Sequence, residues 1–192
     1  TPPEYWEKFA PEDIPRRENY NASVEGKPKL QQIQREQNGD PDWEAFSAER
    51  LKHFGCNSYI DREIGRVIDA VTQLHGDDTA IIYTSDHGDM LGSHGLRSKG
   101  PMMYEEICNI PFIVRVPGGP EGAVSTSLVS HLDILPTMLE LAGKESPNRL
   151  HGTSFVPVLE KPDAQIHETV MINFNRLAIN HHQYGAFYPI RC

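Results

Sequence analysis

The strongest pattern of apolar and polar positions lies between Trp43 and His75. Its apolar residues recur at spacings of three and four: Ile60, Ile64, Val67, Ile68, Val71 and Leu74. Charged residues occupy most positions between them, so one face of a helix is apolar and the opposite face is solvated. Gly76 follows, and glycine is common directly after a helix. The pattern predicts a long amphipathic helix that ends near His75.

Three short runs further along the chain are typical of β-strands. Residues 79–84 and 110–116 are rich in β-branched and aromatic side chains, and each run ends abruptly at polar residues or proline. Short apolar runs of this kind are usually buried strands of a parallel sheet. Residues 168–174 are the candidate for a third strand.

A second helix is predicted over residues 132–142. Ser130 or Asp133 can cap its first turn, and Gly143 stands just past its end. The order helix, strand, loop, strand, helix and strand is typical of the α/β class. So few elements do not cover both faces of a parallel sheet. We therefore expect the chain to be a fragment of a larger α/β domain, truncated at both ends.

Residues 1–43 differ from the rest in composition. They are rich in Pro, Asn, Gln, Glu and Lys, and six prolines interrupt them. Proline restricts the backbone and donates no N–H, so long elements are not expected here, although a short helix over 29–37 is compatible with the pattern. We interpret 1–43 as a Pro-rich connector that wraps a larger body, and 44–192 as the folded part.

Composition and charge exclude several classes of function. The 192 residues carry 18 Lys and Arg against 27 Asp and Glu, a net charge of −9. Such a chain lacks the basic surface that neutralises nucleic-acid phosphates, so no nucleic-acid partner is expected. No stretch reaches the roughly 20 apolar residues of a membrane span, and the three cysteines are too widely spaced to suggest a disulfide framework. The sequence assigns neither a compartment nor an oligomeric state.

The residues that carry chemistry follow the first predicted strand. Asp86 and His87 come where that strand ends, and α/β folds place ligands at the carboxyl ends of strands. A carboxylate beside an imidazole can hold a divalent cation when other ligands complete the shell. Gly88 allows a sharp turn after the pair, and the tripeptide alone also fits an ordinary turn with a surface histidine. The loop then carries a second imidazole and two cationic side chains: His94, Arg97 and Lys99.

One string in this region, residues 84–100, carries a family resemblance. It reads TSDHGDMLGSHGLRSKG and is similar to the late metal-binding motif of the sulfatase family, within the alkaline-phosphatase-like superfamily. Segments on both sides resemble the same family in the same order: residues 59–69, 109–114, 130–137 and 150–157. The resemblance implies an α/β sandwich with a mostly parallel central sheet flanked by helices, incomplete in this chain.

The resemblance also implies roles for residues of that string. Asp86 and His87 would be ligands of a single divalent cation. Calcium is the ion of most sulfatases, although an imidazole is a poorer ligand for calcium than an oxygen and suits Mn²⁺ or Zn²⁺. Lys99 would contact the sulfate or phosphate group, and His94 would contact substrate or protonate the leaving group. Many family members have Asn in place of His87, and the Asp-His version also occurs in phosphonate monoester hydrolases and phosphodiesterases.

Some parts that the resemblance implies are absent from this chain. Sulfatases attack the ester with a formylglycine made from Cys or Ser in a C/S-x-P-x-R motif, and none of the three cysteines stands in such a motif. The nucleophile and the early acidic metal ligands would precede Thr1. The implied function is hydrolysis of a small-molecule or carbohydrate sulfate ester, with this chain alone inactive. A phosphonate monoester or phosphodiester hydrolase and a non-catalytic binding module stay open as alternatives.

Overall fold

The structure is a computed structural model that describes residues 1–39, 42–100, 102–146, 148–174 and 190–191. By their internal contacts these residues form two compact units. The first takes in Thr1–Thr79 and Thr84–Phe112, and the second takes in Ala80–Tyr83, 113–174 and 190–191. The predicted site residues between 86 and 99 all belong to the first unit.

The described part of the first unit contains four α-helices: α1 (Pro3–Trp6), α2 (Lys29–Asn38), α3 (Trp43–His75) and α4 (Glu105–Cys108). The long predicted helix is confirmed as α3. It begins at Asp42, whose carboxylate accepts a hydrogen bond from the N–H of Ala45 at 2.8 Å, a common N-cap arrangement. It ends at Gly76, where φ is 61° and the missing Cβ avoids strain. The short helix predicted over 29–37 is confirmed as α2.

The N-terminal segment packs against α3 through aromatic pairs. The ring of Tyr5 meets that of Tyr59 edge-on at 5.1 Å between centroids, and Phe9 meets Phe54 at 5.7 Å. Arg62 Nη1 also donates a hydrogen bond to the hydroxyl of Tyr5 at 2.7 Å. Large rings therefore anchor a segment that contains little regular structure. Its interpretation as a connector separate from residues 44–192 stays a prediction.

A compact apolar cluster supports the loop that follows residue 84. Its buried members are Met90, Leu96, Met102 and Ile107. Two of them come from the loop itself, one precedes α4 and one lies on it, with Tyr104 and Cys108 packed around them. Because the loop buries its own apolar side chains, burial stabilises its conformation as it does that of a core element.

The described part of the second unit contains two helices, and two pairs of strands lie wholly or mostly within it. Strands β1 (Ile81–Thr84) and β2 (Phe112–Arg115) pair with each other. Helices α5 (Ile134–Leu141) and α6 (Val156–Glu160) follow, and β3 (Asn173–Phe174) pairs antiparallel with β4 (Ile190–Arg191). No helix among the residues described combines the length and the apolar character that crossing a membrane requires.

The strands are shorter and more exposed than the sequence suggested. Neither β1 nor β2 is fully buried, since Tyr83 is 39% and Ile113 is 64% exposed. The expectation of buried strands is therefore wrong for the described residues, because the β1–β2 sheet has two strands and does not enclose them. Of the third strand predicted over 168–174, the described residues form β3, which pairs with Ile190 and Arg191.

The predicted helix over 132–142 is confirmed with a tightened first turn. Residues His131–Asp133 form a 3₁₀ turn, and α5 continues from it. Ser130 Oγ accepts from the N–H of Leu132 at 3.3 Å, while Asp133 Oδ2 accepts from the N–H of Ser130 at 2.7 Å. Ser130 and Asp133 therefore both contribute to the cap, whereas the sequence had left the choice between them open.

Candidate active site

The candidate site begins where β1 ends. Ser85 Oγ donates to the carbonyl oxygen of His87 at 2.9 Å, and Asp86 Oδ1 accepts from the N–H of His87 at 3.0 Å. Side chains that bond to nearby backbone groups in this way favour a turn over a continuing strand. The chain therefore leaves the sheet at Asp86 and His87.

Gly88 sets the path of the backbone directly after this pair. Its N–H donates to the carbonyl oxygen of Ile107 on α4 at 2.9 Å. A Cβ at this position would overlap the carbonyl oxygen of Glu106, so glycine is required by close approach rather than by its φ. The backbone next to His87 thus lies directly against α4.

Lys99 folds back onto the Asp86–His87 pair. Its Nζ lies 2.7 Å from His87 Nε2, which lies 3.4 Å from Asp86 Oδ2. His87 Nδ1 lies 2.8 Å from the carbonyl oxygen of Gly88, and a carbonyl only accepts, so Nδ1 carries the proton. An ammonium only donates, so Nε2 presents its lone pair to Lys99. These contacts fit the Nδ1–H tautomer, the form that binds a metal through Nε2.

The Asp86 carboxylate is open to solvent, with 82% of its side chain exposed against 34% for His87. Desolvation acts to raise the pKa of Asp86, but its interactions with His87, among them the hydrogen bond from the backbone N–H of His87, outweigh it. The pKa of Asp86 is consequently lowered from its usual value. The group is ionised at neutral pH, as a metal-binding carboxylate must be.

The donor set of this pair fits a divalent cation. Neighbouring ligands in a coordination shell lie about 3 Å apart when metal–ligand bonds are roughly 2.1–2.3 Å, and Asp86 Oδ2 and His87 Nε2 are 3.4 Å apart. An oxygen with an imidazole nitrogen suits Mn²⁺ or Zn²⁺ better than Ca²⁺. Within the described residues no group of three or more His, Cys, Asp or Glu side chains is placed to hold a metal. Within the described residues the pair would therefore supply only part of a coordination shell.

His94 lies in the same loop but contacts a different neighbour. Its ring stacks on Tyr104 with centroids 4.5 Å apart and planes at 23°, and its backbone N–H donates to the carbonyl oxygen of Asn19 at 2.8 Å. Its backbone is left-handed, with φ of 55°, a conformation that costs a residue other than glycine about 1 kcal/mol or more. His94 Nδ1 is buried and has no hydrogen-bond partner among the residues described. The loop thus brings the other three predicted residues together and holds His94 against Tyr104.

Two other charged residues of the loop have structural partners. Asp89 Oδ1 accepts from the N–H of Leu91 at 2.9 Å, which closes a local turn. Arg97 Nη1 lies 3.9 Å from Glu49 Oε2 on α3. These contacts hold the shape of the loop and account for both charges.

Asn19 and Glu106 lie behind the loop and were missed in the sequence. The Glu106 side chain is 8% exposed, and its Oε1 accepts from Asn19 Nδ2 at 2.7 Å and lies 3.8 Å from Arg17 Nη1. Burial acts to raise the pKa of Glu106, but the hydrogen bond from Asn19 and the charge of Arg17 contribute to a net lowering. The two residues are 87 positions apart, so no local spacing connects them. A glutamate shortly before the apolar run 110–116 was the available signal.

Solved structures define the class of fold. A phosphonate monoester hydrolase of Agrobacterium radiobacter aligns with a TM-score of 0.79 and 28% identity, over 96% of this chain and 41% of that one. A protein solved with its substrate D-glucosamine-2-N,6-O-disulfate aligns with a TM-score of 0.63 and 30% identity, over 72% of this chain and 29% of that one. The chain is a partial α/β structure of the alkaline-phosphatase-like fold, as the sequence predicted.

Sequence comparison defines the family. The sulfatase family model matches residues 2–144. A protein of Escherichia coli strain K12, named as the uncharacterized sulfatase YidJ, is 39% identical over 191 residues, which cover 100% of this chain and 37% of that protein. The chain belongs to the sulfatase family, which confirms the resemblance found in residues 84–100. It spans less than half the length of these relatives.

Proposed function

We propose that the protein to which this chain belongs hydrolyses a sulfate monoester, using a divalent cation and a formylglycine nucleophile that lies outside this chain. The observation that carries the proposal is the convergence of a carboxylate, an imidazole lone pair and an ammonium at Asp86, His87 and Lys99. Membership of the sulfatase family supports this reaction class.

Asp86 and His87 are the proposed metal ligands. A divalent cation bound there would withdraw electron density from the oxygens of the sulfate group. The family resemblance implies Ca²⁺, whereas the nitrogen ligand favours Mn²⁺ or Zn²⁺. The Nδ1–H bond to Gly88 supports this role, because it keeps the Nε2 lone pair available.

Lys99 is the proposed contact for the sulfate group. The lone pair that accepts from Lys99 is the one that a metal takes, so Lys99 must release His87 when the metal binds. Its ammonium then neutralises negative charge that develops on the ester oxygens. The side chain is exposed, so this movement meets little packing resistance.

His94 is proposed to contact substrate or to protonate the departing alcohol oxygen. The stacking of its ring on Tyr104 supports this role, because it restrains the orientation of the ring. A general acid whose ring is already oriented needs less rearrangement to reach a productive geometry for proton transfer.

A small-molecule or carbohydrate sulfate ester is the proposed substrate. The relative that was solved with D-glucosamine-2-N,6-O-disulfate supports a carbohydrate. We also propose that residues 44–192 form the C-terminal part of the catalytic domain, and that 1–43 connect to it.

Hydrolysis of a phosphonate monoester or a phosphodiester is the second candidate. The TM-score of 0.79 with the Agrobacterium hydrolase favours it, as does the Asp-His pair. Sulfate and phosphonate monoesters share one negative charge and similar shape, so a site with one metal and one lysine accommodates either.

Rates on three substrates with the same leaving group separate the candidates. The whole protein is assayed with 4-nitrophenyl sulfate, a 4-nitrophenyl phosphonate monoester and bis(4-nitrophenyl) phosphate, with the Asp86→Ala variant as control. We expect kcat/KM for the sulfate to exceed the others by about tenfold or more. A larger value for the phosphonate or the diester supports the second candidate. No hydrolysis of any substrate by metal-loaded protein supports a binding module instead.

A further inference from the structure

Asn19 connects two parts of the first unit that lie next to candidate residues. Its Nδ2 donates to Glu106 Oε1 at 2.7 Å, and its carbonyl oxygen accepts from the N–H of His94 at 2.8 Å. The next residue, Tyr20, forms an antiparallel bridge with Ser93. The N-terminal segment therefore pairs with the loop at His94 and bonds to α4 at the same time.

Glu106 is linked to His87 through backbone contacts of α4 with Gly88, the residue after His87. Ile107, the next residue of α4, accepts from the N–H of Gly88 at 2.9 Å. The carbonyl of Glu106 itself occupies the space that a Cβ on Gly88 would need. Protein interiors are close-packed, so a displacement of α4 at Glu106 also displaces the backbone that follows His87.

Burial of the Glu106 carboxylate makes its hydrogen bond with Asn19 energetically important. A carboxylate that is 8% exposed is costly unless donors satisfy it. Asn19 Nδ2 is a close donor at 2.7 Å, and Arg17 lies further away at 3.8 Å. An acceptor in place of the Asn19 amide would leave two oxygen atoms facing each other, so α4 would have to move.

We propose that Asn19 is a positioning residue for the candidate active site. It acts on His87 through Glu106 and α4, and on His94 through its own carbonyl oxygen. It contacts no reacting atom, so its effect is on the geometry of the residues that do. The kinetic part of this inference rests on the proposed sulfate ester hydrolysis.

An exchange of donor and acceptor tests the proposal in the whole protein. Asn19→Asp sets a carboxylate against Glu106, whereas the double variant Asn19→Asp with Glu106→Gln restores one donor and one acceptor. Asn19→Ala is a milder variant in which Arg17 still faces Glu106. Tyr5→Phe is the matched control, because it removes another hydrogen bond between the N-terminal segment and the body, here with Arg62 on α3.

Two readouts are measured on each variant: kcat and KM for 4-nitrophenyl sulfate, and hydrogen exchange of the amides of Gly88 and His94. We expect Asn19→Asp to lower kcat by about 10- to 100-fold with a smaller change in KM, and Asn19→Ala by about tenfold. The kcat of the double variant should return to within about threefold of the wild-type value, and the kcat of Tyr5→Phe should remain within the same range. Exchange at Gly88 and His94 becomes faster in Asn19→Asp and recovers in the double variant.

The inference is overturned if the Asn19 variants keep the wild-type kcat, or if the double variant is no better than Asn19→Asp. If Asn19→Asp does not fold, the same two readouts on Asn19→Ala test the positioning role. If the wild-type protein hydrolyses no sulfate ester, the proposed function fails separately. Hydrogen exchange then decides alone: unchanged exchange at Gly88 and His94 contradicts the positioning role, and faster exchange supports it.

Discussion

The Nζ of Lys99 lies 2.7 Å from His87 Nε2, although the two residues are twelve positions apart in the chain. The contact brings an exposed cation next to the two donors, on Asp86 and His87, that fit a metal. Nδ1 of the same imidazole is held by the carbonyl of Gly88. Nδ1 is thus held by a backbone carbonyl while Nε2 faces Lys99, and metal-binding histidines commonly make the first of these two bonds.

Lys99→Met is expected to lower kcat/KM for 4-nitrophenyl sulfate by about 100- to 1,000-fold, since it removes the cation proposed to stabilise the ester oxygens. The substitution keeps a side chain of similar length. Lys144→Met, at an exposed position in the second unit, is the control and should leave the rate within about twofold. A Lys99→Met variant with the wild-type kcat/KM would show that Lys99 does not contact the anion.

His87→Asn is expected to shift the preferred metal towards Ca²⁺. The substitution replaces an imidazole nitrogen with an amide oxygen, and calcium prefers oxygen ligands. The whole protein is stripped of metal, reloaded with Ca²⁺, Mn²⁺ or Zn²⁺, and assayed. The ratio of activity with Ca²⁺ to activity with Mn²⁺ should rise by about tenfold or more in the variant. The same ratio in both proteins contradicts a ligand role for His87.

Gly88→Ala is expected to lower the free energy of unfolding by about 2 kcal/mol or more, because the new Cβ would overlap the backbone of α4. Gly65→Ala is the matched control. Gly65 lies within α3 and has nothing within 4 Å of the added Cβ, so alanine should stabilise the helix by up to about 1 kcal/mol. Urea unfolding measures both variants. Equal effects of the two substitutions would contradict the close approach of Gly88 to α4.

Glu106 is expected to make stability depend on pH in the acid range. Its folded pKa is lowered, so its contribution to the free energy of unfolding is fully present above the unfolded pKa of about 4.3. That contribution is lost as the pH falls through the lower folded pKa. Urea unfolding between about pH 5 and 3 should therefore show the difference between wild type and Glu106→Gln becoming smaller towards acid.

Asn19→Ala provides the control for this pH dependence. It removes the donor that lowers the pKa of Glu106, so the same substitution Glu106→Gln should change the pH dependence less in that background. A difference between wild type and Glu106→Gln that is constant with pH would show that the folded pKa of Glu106 is not lowered.

Local signals in the sequence were enough to predict α2, α3 and α5, whereas the roles of the candidate residues were taken from the family resemblance. The spacing of Ile60, Ile64 and Val67 indicates α3, since an amphipathic helix over nine turns leaves a clear period. The cap shared by Ser130 and Asp133 was also recognisable, because capping depends on residues three apart.

Contacts between distant parts of the chain were not predictable from the same signals. The bond between Asn19 and Glu106 joins positions 87 apart, and the stacking of His94 on Tyr104 depends on where α4 lies. The pairing of β3 with β4 likewise joins segments that are distant in the sequence. Pairing and packing between distant segments determine these features, and neither hydrophobic periodicity nor secondary-structure propensity reveals them.

The metal content of the whole protein tests the central claim most directly. Elemental analysis of the purified wild type and of Asp86→Ala, each assayed in parallel with 4-nitrophenyl sulfate, measures occupancy and rate on the same samples. We expect about one divalent cation per chain in the wild type, and loss of both the cation and the hydrolysis in Asp86→Ala. An Asp86→Ala variant that keeps its cation and its rate would contradict the assignment of this site.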